Sequence, residues 1–182
     1  MTFSEIDLDP VSHITTDAIG EPGRRVFYLQ GWLDTDPKPL TVIIEKVQLQ
    51  TLAAGLETLL IDIAEQYPER AAVPTGYDEE KMRITPPVDP LFRAGELGIG
   101  YNAETDQIVI MVREVVMEGE PEDDASQVRF WCSRTQSSQL AAWGKQVVGR
   151  GRPICTQCGQ AMEPEGHFCP KKNGGRKREG IV

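Results

Sequence analysis

Apolar positions along the chain follow two periods. Residues 25–33 (RVFYLQGWL) are rich in β-branched and aromatic side chains and follow the turn signal Glu21-Pro22-Gly23, which predicts a strand. Residues 11–19 form a weaker strand candidate, and the two together predict a hairpin. Residues 34–39 (DTDPKP) read as a loop. Residues 40–46 (LTVIIEK) read as a third strand, apolar on both faces and therefore central in its sheet.

The period then lengthens to 3.6. Leu49, Leu52, Ala53, Leu56, Leu59, Leu60, Ile63 and Tyr67 fall on one side, opposite Gln50, Glu57, Asp62 and Glu65, which predicts a helix over residues 48–66. Gly55 weakens it by about 1 kcal/mol relative to alanine but permits close packing. Residues 68–90 carry five prolines and form a long connection, of the kind that is either functional or loosely ordered. Two further strands follow, a glycine-punctuated one over 92–101 and a strong one over 106–117, joined by a turn at 102–105. The acidic segment 118–124 reads as an exposed loop rather than a cation site, because it lacks calcium-loop spacing. Residues 127–133 (QVRFWCS) predict a sixth strand, and residues 135–148 a second helix with Leu140, Trp143, Gly144 and Val147 on one side.

The order is βββα twice. Residues 46–48 and 52–54 (KVQ, LAA) are echoed 88 positions later as RTQ and LAA, which raises a duplicated βββα unit. Short turns between strands favour an α+β fold: a mainly antiparallel sheet of about six strands packed against two helices.

Composition changes the picture little. The chain has 182 residues, of which 40% are apolar and 26% charged, a globular balance. No run approaches the roughly 20 apolar residues of a membrane span. The opening residues MTFSEIDLDP are acidic without an apolar run, so no secretory signal and a cytoplasmic address are expected. Charge changes it more. The net charge of −9 divides into −13 for residues 1–149 and +4 for residues 150–182, with the switch at Gly149-Arg150-Gly151-Arg152-Pro153. This predicts an acidic body, 1–149, and a basic tail, 150–182.

The tail carries the specific chemistry. Three of the four cysteines lie within fifteen residues, in the pattern Cys155-x2-Cys158-x8-His167-x-Cys169. A C-x2-C pair on a tight turn presents two thiolates on one side of the backbone, and His167 with Cys169 can close a tetrahedron around one structural Zn2+. A redox C-x-x-C normally opens a helix in a βαβ context, which is missing here. Cys132 alternates with Val128 and Phe130 in a predicted strand and reads as a core thiol. With four protein ligands the site is closed, so zinc here is structural, and it provides much of the folding free energy of so short a segment.

Other candidates are less specific. Lys171, Lys172, Arg176, Lys177 and Arg178 form a basic extension suited to an acidic partner surface or to phosphates. Arg24, Arg25 and Lys46 are candidate anion contacts. His13 reads as a surface or satisfied histidine, and residues 95–100 (GELGIG) as a kinked strand rather than a phosphate loop. There is no phosphate-loop motif, no G-x-S-x-G and no H-E-x-x-H.

Several blocks together resemble a family of conserved bacterial proteins of unknown function, best known from actinobacteria. They are Gly20-Glu21-Pro22-Gly23 with Arg25, Phe27, Leu29 and Gln30; Glu45-Lys46 with Gln48; Phe92-Arg93 with Gly95; and Gly151-Arg152-Pro153, Cys155, Cys158-Gly159, Pro164-Glu165-Gly166-His167, Cys169-Pro170 and Asn173-Gly174. The resemblance implies that Cys155, Cys158, His167 and Cys169 act as one unit without Cys132. It implies no activity. Family members are said to be encoded beside phosphatase-like and kinase-like proteins, which implies a shared pathway.

Two histidines in the whole chain are a poor stock for acid–base chemistry. The expected function is therefore a non-enzymatic interaction or adaptor protein with an unidentified, acidic protein partner. The alternatives are an enzyme or small-ligand binder acting on a phosphorylated compound through Arg24, Arg25 and Lys46, and nucleic-acid contact through the basic zinc tail.

Overall fold

The structure is a computed structural model that describes residues 5–119, 125–151, 155–159, 162 and 167–173. The strands are β1 (Glu5–Leu8), β2 (His13–Ile19), β3 (Val26–Leu33), β4 (Asp36–Ile44), β5 (Pro90–Asn102), β6 (Gln107–Glu114) and β7 (Gln127–Ser133). The helices are α1 (Lys46–Gln66), α2 (Arg134–Gly149) and the single turn α3 (Pro170–Asn173). The expected β2–β3 hairpin forms, with Ile19 opposite Val26 and positive φ at Gly20 and Gly23 in the turn, where a side chain would be strained. Both predicted helices are present. Their starts are fixed by reciprocal caps: Gln48 Oε1 accepts from the Glu45 amide, and Ser133 and Gln136 exchange side-chain and backbone bonds.

The sheet has seven strands in the order β1-β7-β6-β5-β4-β3-β2, and it is mixed rather than mainly antiparallel. β2–β3–β4 and β5–β6–β7 are two antiparallel meanders, but β4 pairs β5 in parallel and β1 pairs β7 in parallel. The cause of the first is α1. Its 21 residues rise about 32 Å, enough to return the chain along the sheet so that β5 begins at the same end as β4. The second involves β1, a four-residue strand that residue pattern does not disclose. The two halves are also packed differently: α1 lies on β5 and α2, whereas α2 lies on β2, β7 and β6. A duplicated βββα unit is not shown by this arrangement.

β1 and β2 are neighbours in sequence yet occupy opposite edges of the sheet. In a flat sheet those edges stand about 29 Å apart, at about 4.8 Å per strand. The chain from Leu8 to His13 can bridge only about 17 Å. The sheet therefore has to curl. Hydrogen bonds record the closure: Val11 donates to the Trp131 carbonyl of β7 (2.9 Å) and Ser12 to the Trp32 carbonyl of β3 (2.9 Å). Phe130 of β7 fills the space opposite Gly31 of β3.

The apolar face of the sheet pairs Phe27 with Ile44, Leu29 with Val42, Ile110 with Phe130 and Ile108 with Cys132, all buried. The helices pack on this face, with Gly55 of α1 against Ile99 and Gly144 of α2 against Leu49. Trp143 is fully buried and donates its indole N–H to the Thr16 carbonyl. By length and apolar composition alone α1 could cross a membrane, but its Leu49, Leu52, Ala53, Leu56 and Ile63 are buried in the protein core.

The opposite face carries a buried polar row, Thr15, Gln30 and Thr41, in register across three strands. The proline-rich connection, residues 67–89, straps across it. Thr15 donates to the Met82 carbonyl, Gln30 donates to Thr41 and to the Thr85 carbonyl, and Thr85 N–H returns a bond to Gln30. The connection is thus tied down rather than loose, and its Met82 is buried.

Candidate metal centre

The Cys155–Cys158 turn is tight because the Gly159 amide donates back to the Cys155 carbonyl at 2.8 Å, and Gly159 takes φ +75°, which suits glycine. The same turn aims the backbone amides of Cys158 and, more weakly, Gln157 at the Cys155 sulfur. These lower its thiol from 9.0 to about 7, which favours the thiolate that a metal needs. His167 and Cys169 approach from just ahead of α3. The four ligand atoms of Cys155, Cys158, His167 and Cys169 all lie within 4.8 Å of one another.

The donor set fits zinc. A tetrahedron with metal–sulfur arms of about 2.3 Å has edges of about 3.8 Å. Cys155 Sγ stands 3.9 Å from Cys169 Sγ, and Cys158 Sγ stands 3.2 Å from His167 Nε2. None of these cysteines is in a disulfide. Cys155 and Cys169 are buried, whereas Phe168, between two ligands, is 76% exposed. Cys132 is separate from the cluster, as expected. It is fully buried in β7, and burial pushes its thiol up to about 12, which disqualifies it as a thiolate ligand.

The remaining candidates divide. Arg25 and Lys46 come together: a Cβ on Gly151 would lie 2.8 Å from Arg25 Nη2 and 3.3 Å from Lys46 Nζ. Arg25 also donates from Nη1 to the Val147 carbonyl (3.0 Å) at the C-terminal end of α2 and lies over the Phe27 ring. Burial, with the neighbouring Arg150 guanidinium, lowers its pKa against the pull of Asp17. Arg24 is exposed in the hairpin turn, its amide donating to the Glu21 carbonyl. Lys171 is exposed on α3, and Lys172 lies on the same turn. Arg176, Lys177 and Arg178 lie outside the described residues, as do Arg152 and most of the acidic loop 118–124. His13 is half-buried beside Trp32 (5.2 Å between rings); burial lowers its pKa, and its Nε2 has no hydrogen-bond partner among the described residues. Residues 95–100 are strand, with a bulge at Gly95, where a Cβ would meet Val115 Cα at 2.8 Å.

One cluster escaped the sequence reading. Asp106, at φ +55° in the β5–β6 turn, accepts from Arg70 Nη1 (2.6 Å), from Arg134 Nε (2.8 Å) and Nη2 (3.1 Å), and from the Tyr101 hydroxyl (2.7 Å). Arg70 and Arg134 also donate to the Ala103 and Ala71 carbonyls. The cluster ties the start of the strap, the turn and the first residue of α2. Arg70 and Arg134 stand 36 and 28 residues from Asp106, with only Tyr101 local to it, and of these segments only the turn at 102–105 carries a sequence signal.

The chain belongs to the DUF3090 family, proteins of unknown function, whose model matches residues 6–169. No curated protein and no solved structure matches it. The matched stretch runs from within β1 through Cys169, so it covers all seven strands, α1, α2 and the Cys/His cluster.

Proposed function

We propose that this protein is a non-enzymatic interaction protein: an acidic body, residues 1–149, that presents a zinc-locked basic tail, residues 150–182, to another macromolecule. The observation that carries the reading is the placement of Phe168. It sits between two ligands of a closed Cys3His set and is nonetheless 76% exposed, so the metal would fix an apolar side chain outward. Exposed aromatic residues on rigid supports are typical anchors of protein interfaces. Zinc has no free coordination position when all four protein ligands bind, which supports a structural rather than a catalytic metal. Lys171 and Lys172, two and three residues after the last ligand, with Arg176, Lys177 and Arg178 beyond, favour an acidic partner.

The test is a quantitative pull-down with the full chain, Phe168→Ala and a chain ending at residue 170. The reading expects partners retained by the full chain to be lost from both variants and to fall away as salt rises. Phe168→Ala should keep its zinc. Retention of the same proteins by all three forms, independent of salt, would overturn it. Retention dependent on nuclease-sensitive nucleic acid would replace the acidic protein with a nucleic-acid partner.

A further inference from the structure

We propose that Arg25 and Lys46 form a binding site for a phosphate-type oxyanion at the C-terminal end of α2, distinct from the Cys/His centre. Both Arg25 Nη2 and Lys46 Nζ lie within 3.3 Å of the point where a Gly151 Cβ would stand, so the two cationic nitrogens are no more than about 6 Å apart. The point lies one bond from Gly151 Cα and 3.4 Å from the Val148 carbonyl oxygen, and it marks where the two cations converge at the last turn of α2. Part of this charge serves α2: Arg25 Nη1 meets the Val147 carbonyl, where a helix end favours cations. Among the described residues, no hydrogen bond or ion pair engages Nη2 or the Lys46 ammonium. Neither residue has a carboxylate ion-pair partner among the described residues. The nearby acids bond elsewhere: Glu45 to Arg93, Glu79 to Arg150 and Arg83, and Asp17, whose charge favours the Arg25 cation without an ion-pair contact, to the amides of Ala18 and Ile84.

Two like charges held this close repel one another. A dianionic oxyanion restores the balance. It has oxygens enough for the planar guanidinium fork and for the ammonium point charge at once. The half-buried setting of Arg25 strengthens such a contact relative to a solvent-exposed lysine pair.

The experiment is a thermal-shift titration of the full chain with sodium phosphate against sodium chloride at matched ionic strength. Phosphate should raise the melting temperature saturably above chloride. Lys46→Met removes one of the two cations from an exposed position, so its melting in chloride should match wild type while its phosphate affinity falls about tenfold or more. Lys46→Arg should keep the response. Glycerol 2-phosphate, run in parallel, separates a site for the free ion from one for a phosphomonoester by which of the two saturates at lower concentration. A phosphate response no larger than that to chloride, or one of equal size in Lys46→Met, would overturn the proposal.

Discussion

Gly31→Ala tests whether the curl of the sheet is held by direct contact between β3 and β7. An alanine Cβ would lie 2.6 Å from Phe130 Cδ1, 2.7 Å from Cε1 and 3.4 Å from Leu8 Cδ2. The first two are about 1 Å inside normal carbon contact. Phe130 is fully buried and packs across β6 against Ile110, so its ring has little room to retreat. Overpacking of this kind costs about 1–3 kcal/mol. The gain from replacing a strand glycine by alanine is only about 0.5–1 kcal/mol. Sterics therefore set the sign. Two contacts under 2.8 Å to a buried ring place the penalty at about 2–3 kcal/mol, a net loss of about 1–2.5 kcal/mol; at about 2–4 °C per kcal/mol for a chain of this size, the melting temperature should fall by about 2–10 °C. A second change, Phe130→Leu, costs stability on its own through lost packing. In its background the Gly31→Ala penalty should shrink by about 1 kcal/mol or more, because the clashing ring is gone. Urea unfolding of the four proteins measures the cycle. No loss in Gly31→Ala, or strict additivity with Phe130→Leu, would refute contact between these two strands as the closure of the sheet.

Asp106→Asn leaves two guanidiniums facing a neutral amide while asparagine still tolerates the positive φ; a loss of about 1–3 kcal/mol is expected in denaturant unfolding. Gln30→Leu removes the bonds to Thr41 and Thr85 from a fully buried position; limited proteolysis should then cut within residues 67–89 faster than in wild type, with hydrogen exchange at the Thr85 amide accelerated. The pH dependence of the tail follows from Cys155, whose thiol is lowered from 9.0 to about 7 in the folded turn. A depressed pKa stabilises the folded turn fully above about 9, and the contribution is lost as pH falls through about 7. Protons compete with metal at the same sulfur, so zinc affinity should decline steeply below about pH 7 in a chelator competition.

The parts of the molecule that were legible in sequence are those set by local pattern. The β2–β3 hairpin, α1 and α2 each carry their period and their end signals within twenty or so residues. The Cys/His set was legible for the same reason, since its turn and its two ligand pairs lie in one short segment. What was not legible depends on distant pairing. β1 pairs with β7 some 120 residues later and has only four residues in which to show a pattern. The parallel β4–β5 contact is a consequence of where α1 delivers the chain. Pro37 and Pro39 suggested a loop, yet they lie in β4, because that half of the strand precedes its pairing with β5 at Thr41 and needs no donors on that side. Arg25 and Lys46 were visible as cations, but their meeting place at Gly151 is created by the packing of α2. The Asp106 cluster joins four residues from three separate segments and left no spacing to read.

The most direct test of the account is zinc X-ray absorption on the full chain, with metal content measured on the same sample. About one zinc per chain is expected, surrounded by three sulfurs at about 2.3 Å and one imidazole nitrogen at about 2.0–2.1 Å. Zinc should also be lost from Cys155→Ser/Cys158→Ser while the body keeps its melting transition. A stoichiometric zinc in that double variant, or a first shell with bound water and fewer than three sulfurs, would contradict a closed Cys3His centre and, with it, the reading of the tail as a metal-locked docking element.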